Sequence, residues 1–235
     1  MIRKMLLIAG LSISMLAGCS KERKDASQTA DTAMQDIGDA ASKVEQTASN
    51  WTGKAGNMMT HMWTGVKNWA YTNDPDKDFG EIAIDQHKVG IDMHQMVLDN
   101  GDEQNVKNMA TKMKAADEKG IEEIKAILDK HETKADTKLD FKKVVEKSFT
   151  DAQLNMDETM ENKIDNGADP DSVYLAMMIQ HHKGELAIGK AYLMHGKDKA
   201  LKAHVQKMTP VLQSDIKQMQ AALKNRPKNV ASKKY

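Results

Sequence analysis

The chain has 235 residues, and its 34 Lys and Arg residues balance 34 Asp and Glu residues, so the formal net charge is zero. A chain without net charge has no long-range field to attract nucleic acid, and a nucleic-acid partner is not expected. Only 4% of the residues are aromatic and only four are proline, whereas Ala, Lys, Glu, Asp and Met are frequent. This composition predicts an all-α fold.

The first residues have the pattern of a secretory signal. Two basic residues precede an apolar run from Met5 to Leu16, and the sequence Leu-Ala-Gly-Cys ends at Cys19. The pattern predicts a lipoprotein signal peptide over 1–18 and lipidation of Cys19, with an ordinary free or buried cysteine as the alternative. Ser20 rather than Asp follows the cysteine, so we expect a lipid-anchored envelope protein, facing the periplasm from the outer membrane in a Gram-negative cell.

Two segments precede the main domain. Residues 19–50 hold many Lys, Asp, Ser, Thr and Gln residues and predict a polar tether. The segment 51–73 contains all three tryptophans and predicts a Trp- and Met-rich amphipathic helix. Its large residues recur at helical spacing, at Trp51, Ala55, Met58, Met62, Val66 and Trp69. The sequence leaves two positions open for this helix, either over the bundle or at the membrane interface.

A duplicated helical bundle is predicted over 78–226, followed by a basic tail over 227–235. His87 corresponds to His182 at a separation of 95 residues (182 minus 87), and Gly101 pairs with Gly196 in the same register. This repeat predicts two related helical hairpins that pack as a four-helix bundle. Turn and cap residues place the helices at roughly 78–99, 103–130, 139–165, 171–195 and 198–224.

Two details of this arrangement are also expected. The hairpins span 78–131 and 171–226, and the helix over 139–165 links or flanks them. Pro210 is expected to kink or interrupt the last helix, because proline removes a helical hydrogen bond.

Methionine and histidine cluster in the run MMIQHHKGE, which starts at Met177. Residues four positions apart on a helix can approach one ion. Thioether sulfur suits Cu(I) and its analogue Ag(I), and imidazole binds Cu(I), Cu(II) and Zn(II), so the mixture favours copper. We expect His182 on the buried face and His181 on the adjacent edge. The predicted metal ligands are Met178, His181, His182, Met177, His87, Met93 and His94.

A polar core without metal is the alternative. A buried imidazole needs a hydrogen bond or a metal, because an unsatisfied polar group costs about 1–3 kcal/mol. Under this alternative the chain is an envelope stress or scaffold lipoprotein whose histidines hold the core together. An enzyme is not expected, since the chain has no Glu-x-x-His pair for a di-iron site, Glu185 being the nearest carboxylate to His182.

The second repeat resembles the domain-of-unknown-function 305 family, whose motif reads roughly Met-Ile-Pro-His-His-x-Gly-Ala. The matching residues are Met178, Ile179, His181, His182 and Gly184. Gln180 replaces the usual proline, and Gln86 stands where the first copy would have the motif's first histidine, so we expect an asymmetric site.

The resemblance implies a ferritin-like, often duplicated helical fold and a link to copper binding and resistance in the cell envelope. Copper is therefore the expected cofactor, with Cu(I) favoured, for buffering, sequestration or resistance. The expected partners are the metal ion and the membrane, reached through the N-terminal lipid. A second copy of the chain and a copper-handling protein are further candidates.

Overall fold

The computed structural model describes residues 53–154 and 169–226, which belong to one compact unit, Glu45–Tyr235. The described residues form helices and no strand, which confirms the predicted all-α class. The helices are α1 over 53–67, α2 over Pro75–Asn100, α3 over Gln104–Leu128, α4 over Phe141–Asp151, α5 over Pro170–His195 and α6 over Lys199–Lys224. The predicted signal peptide 1–18, Cys19, the tether 19–50 and the tail 227–235 lie outside the described residues.

Aspartate caps begin three of the long helices. The side chains of Asp74, Asp169 and Asp198 accept hydrogen bonds from backbone amides in the first turns of α2, α5 and α6. These bonds satisfy amides that have no partner within the helix. Pro75 and Pro170 begin α2 and α5, where a missing amide costs little. Local chemistry therefore sets where these helices begin.

Four helices form the predicted bundle. The hairpin partners α2 and α3 pack together, as do α5 and α6, while α2 packs on α5 and α3 on α6. The short α4 flanks the bundle against α5. In the segment where one helix was expected over 139–165, α4 ends at Asp151 and Gln153 takes a positive φ of 58° beyond it, while residues 155–165 lie outside the described residues. Pro210 lies inside α6, which continues without interruption, so the alternative of an interrupted helix is wrong.

Helix α1 covers the bundle, which is one of the two positions that the sequence left open. Its buried face includes Ala55, Met59, Met62, Trp63 and Val66. The Trp63 ring packs edge-on against Phe149 of α4, with the ring centroids 5.2 Å apart. The same ring lies against Gly184 of α5, where an added Cβ would be 2.2 Å from Trp63 Cη2. Among the described helices, none combines the length and apolar character needed to cross a membrane.

Helix α5 is buried on almost every side. It packs against α2, α4 and α6, and α1 reaches it through Met62 and Trp63. His181 was expected at the edge of the buried face, but its exposed fraction is 0%. The adjacent edge of α5 is buried as well, because α1 covers it through Met62 and Trp63.

Candidate metal centre

Two histidines and a carboxylate of α5 bring their donor atoms together inside the bundle. His182 Nδ1 lies 3.3 Å from Glu185 Oε2, and His181 Nε2 lies 3.6 Å from Glu185 Oε1. Spacings of three and four residues place the carboxylate one helical turn after the histidines. One donor atom from each of the three residues lies within 4.8 Å of the other two. This group is the candidate metal centre.

Four donor atoms of the candidate metal centre are buried and make no well-aligned hydrogen bond to protein, although His182 Nδ1 and Glu185 Oε2 approach each other. The four atoms are His181 Nε2, both ring nitrogens of His182, and Glu185 Oε2. A buried polar atom without a partner costs about 1–3 kcal/mol, so native proteins rarely hold several together. A metal ion would satisfy one nitrogen of each ring together with the Glu185 oxygen, because the two nitrogens of one imidazole point in different directions and cannot bind the same ion.

The separations between the donor atoms fit a common ion. With metal–ligand bonds of roughly 2.0–2.2 Å, two ligands of a tetrahedral ion lie about 3.3–3.6 Å apart. The separation of Glu185 Oε2 from His182, 3.3 Å, and that of Glu185 Oε1 from His181, 3.6 Å, both fall in this range. The residues present therefore fit a bound metal ion.

Helix α1 brings a sulfur atom to the other nitrogen of His181, the one that faces away from Glu185. Met62 Sδ lies 2.7 Å from Nδ1 of His181, and the Met62 side chain is fully buried. Met62 stood on the predicted amphipathic face of 51–73 but was not among the predicted ligands. The helical spacing placed it on a packed face, whereas only the tertiary structure brings it to His181, 119 residues along the chain.

The histidines of the first repeat belong to a hydrogen-bonded network. Asp117 Oδ1 lies 2.9 Å from His87 Nδ1, and Asp117 Oδ2 lies 3.1 Å from His94 Nε2. His94 Nδ1 lies 2.7 Å from the Tyr174 hydroxyl. One proton arrangement satisfies every bond, with both histidines donating to the carboxylate and the tyrosine donating to His94. This network matches the polar core that the metal-free alternative predicts.

Glu185 lies between the network and the candidate metal centre. Its Oε1 is 3.5 Å from His87 Nδ1 as well as 3.6 Å from His181 Nε2. The three residues His87, Asp117 and Glu185 also bring donor atoms within 4.8 Å of one another. In this second group, however, the bond between His87 and Asp117 already engages both residues.

The interior charges are set by burial and by these neighbours. Burial opposes ionisation of Asp117, but hydrogen bonds from His87 and His94 hold its pKa well below the usual range. Burial also opposes ionisation of Glu185, yet the neighbouring histidines lower its pKa. Burial lowers the pKa of His181 to about 4, so this ring is neutral at pH 7 and offers a lone pair.

The predicted methionine ligands are buried in the hydrophobic core. Met93, Met177 and Met178 all belong to the core cluster, together with the large side chains of α5. The structure thus brings His181 and His182 together at Glu185, and His87 and His94 together at Asp117. A ligand role for the three methionines stays a prediction.

A third group of carboxylates and a histidine, at the start of α2, is a structural junction. Asp76 Oδ1 accepts from the Tyr192 hydroxyl at 2.7 Å and from two backbone amides of the turn between α5 and α6. Asp74 Oδ2 lies 2.9 Å from His131 Nε2. These hydrogen bonds occupy carboxylate oxygens of Asp74 and Asp76 and link the ends of several helices. Since their donor atoms already have partners, this group is a weaker candidate for a metal site.

Sequence reasoning missed Asp117 because its sequence surroundings resemble an exposed helix face. Asp117 stands in the charged run ADEKG of α3, which has the composition of a solvated helix face. Nothing local distinguishes it from its exposed neighbours. Glu185 did have a signal, since it follows His182 by one helical turn.

A protein-family model described as "Domain of unknown function (DUF305)" matches the chain twice, over residues 12–128 and 76–223. The two matches overlap over residues 76–128, which contain the α2–α3 hairpin, so this hairpin aligns with the family model in both matches. This agrees with the internal repeat. No curated protein and no solved structure matches the chain.

Proposed function

The chain belongs to the DUF305 family, and on this premise we propose that it binds copper in the candidate metal centre of His181, His182 and Glu185. The observation that carries the proposal is the group of four buried donor atoms without hydrogen-bond partners. Their removal from water is costly in a metal-free protein, and a bound ion offsets that cost.

The donor types favour copper. Two imidazoles suit copper and zinc. The thioether of Met62, which suits Cu(I) and Ag(I), lies against Nδ1 of His181 and would join the ligands only if that ring turned over. The chain has a single cysteine, Cys19, so no pair of thiolates can compete for a soft metal. Thioether sulfur forms no disulfide and therefore keeps its ligand function in an oxidising compartment. Cu(I) is the favoured form, while the carboxylate of Glu185 would support Cu(II) after oxidation.

The enclosure of the centre favours binding over catalysis. His181 and His182 are buried, whereas catalytic metal sites keep a coordination position open to substrate. The proposed role is therefore buffering, sequestration or resistance, without an enzymatic step.

The proposed place of action is the cell envelope. Lipidation at Cys19 would hold the protein on the membrane, with the periplasmic face of the outer membrane as its position in a Gram-negative cell. A copper-handling protein or a second copy of the chain would exchange the ion. Radiolabelled fatty acid should enter the wild-type protein and not Cys19→Ser; equal labelling of both would contradict the anchor.

Anaerobic titration with Cu(I) against a chromogenic competitor tests the site. The wild-type protein should outcompete the dye, and the His181→Ala/His182→Ala variant should lose at least about a hundredfold in affinity, because ligands matter more than the residues that orient them. His61→Ala, at an exposed histidine of α1, is the matched control and should bind like the wild type. Equal binding by wild type and the double variant would refute the site.

The alternative is a metal-free envelope stress or scaffold lipoprotein. The network of His87, Asp117, His94 and Tyr174 favours it, because these buried groups satisfy one another without an ion. A ligand that binds only the folded state must raise the melting temperature. Excess copper that leaves the melting temperature unchanged would support the scaffold alternative.

A further inference from the structure

The candidate metal centre is enclosed, so an ion needs a path to reach it. A cavity with a volume of about 50 Å³ lies among α2, α3, α5 and α6. Roughly 10–15 Å³ is enough to hold one water molecule, so this cavity has room for more than one water or for an ion with part of its hydration.

The inner part of the cavity reaches the centre itself. Glu185, the carboxylate of the candidate metal centre, also lines the cavity, and so does His87. Gln86 lines it as well, with its exposed fraction at 1% and both amide atoms lacking a hydrogen-bond partner. Much of the remaining lining is aliphatic or aromatic. A polar group kept without a protein partner in such a cavity is positioned to meet a transient polar or ionic occupant.

Helix α6 places two soft donors on the same cavity. His204 and Met208 both line it and are one helical turn apart. His204 Nδ1 lies 3.0 Å from Oε2 of Glu123, a partly exposed residue of α3. A histidine whose Nδ1–H donates a hydrogen bond to a carboxylate presents the lone pair of Nε2 to a metal.

We propose that this cavity is the passage by which the metal ion enters, and that His204 and Met208 form a transient binding site within it. The ion passes from this pair, by way of the Gln86 amide, to Glu185 and the buried histidines. The inference rests on the proposed function, because it presupposes that the centre takes up a metal. It assigns to the His204 and Met208 pair a role in the rate of uptake rather than in final affinity.

The rate of copper uptake tests the proposal. Full-length metal-free protein is mixed anaerobically, in a stopped-flow instrument, with the coloured Cu(I) complex of bicinchoninate, and loss of its absorbance reports uptake. The His204→Gln/Met208→Leu variant should load about tenfold more slowly, a change of the size that association rates show among related variants. Its equilibrium affinity should equal that of the wild type. His61→Gln/Met194→Leu is the matched control, because both residues are exposed and neither lines the cavity.

Each result bears on the proposal separately from the function. If the variant takes up copper at the wild-type rate, the proposed passage is wrong and the cavity is a structural cavity that holds water. A loss of affinity together with rate would also overturn it, since the pair would then belong to the final site. The Met208→Leu variant keeps nearly the same volume and provides the same test if the double variant does not fold. If the wild type takes up no copper, the proposed function itself fails.

Discussion

Replacement of His182 by leucine should stabilise the metal-free protein. The substitution removes two buried ring nitrogens that have no hydrogen-bond partner, and each such atom costs about 1–3 kcal/mol. The substitution also takes away the ring that lies 3.3 Å from the buried Glu185 carboxylate and helps to lower its pKa, and this loss offsets much of the gain. We expect a net stabilisation of about 1 kcal/mol, which corresponds to roughly 2–4 °C in melting temperature for a domain of this size.

The same substitution at His94 should have the opposite effect. Both ring nitrogens of His94 are bonded, one to Asp117 and one to Tyr174. Leucine would leave a buried carboxylate oxygen and a buried hydroxyl without this partner, at a cost of about 1–3 kcal/mol each. The two variants therefore compare a bonded and an unbonded histidine within one core.

Urea unfolding of chelator-treated protein measures both effects, with the slope checked for constancy. Thermal unfolding with copper then separates the function from the fold. At a free copper concentration a hundredfold above the dissociation constant, the free energy of unfolding of the wild type should rise by about 2.7 kcal/mol, and that of the His182→Leu variant should rise little. If His182→Leu lowers the metal-free stability as much as His94→Leu does, the reasoning from unpartnered nitrogens is refuted.

Three further outcomes are expected. Gly184→Ala should lower the free energy of unfolding by about 1–3 kcal/mol in urea, because the added Cβ would lie 2.2 Å from the packed Trp63 ring; an unchanged midpoint would show that the ring can move. Burial opposes ionisation of Asp74, but hydrogen bonds from a backbone amide and from His131 lower its pKa in the folded protein. The ionised side chain therefore contributes to the free energy of unfolding above about pH 4, and this contribution is lost as the pH falls through the pKa of the folded state. Asp74→Asn, which keeps the helix cap, should therefore have a lower free energy of unfolding than the wild type at pH 7 and nearly the same value at pH 3. An equal difference between the two proteins at both pH values would contradict the lowered pKa. Met62→Leu removes the sulfur beside Nδ1 of His181 and should weaken both Cu(I) and Zn(II) binding about tenfold, because that contact orients the ring; affinities equal to the wild type in parallel titrations would show that the contact does not position His181.

The sequence determined the elements of this fold because their signals are local. Aspartate caps, helix-starting prolines and turn glycines act within a few residues, so the starts of α2, α5 and α6 were predicted within a few residues of their positions. The repeat predicted two hairpins, and the family resemblance was confirmed by the family-model match. The chemistry of the His181-His182 run was also visible, since its residues are adjacent on one helix.

Only the tertiary structure decided which groups meet these histidines. Met62 reaches His181 from α1, and Asp117 reaches His87 and His94 from α3, across separations that carry no local pattern. It also decided that the histidines of the two repeats differ, since those of α2 are bonded to Asp117 whereas His182 lacks hydrogen-bond partners. The physical reason is that a helical period fixes the face on which a residue lies, whereas packing between helices fixes the atoms that face it.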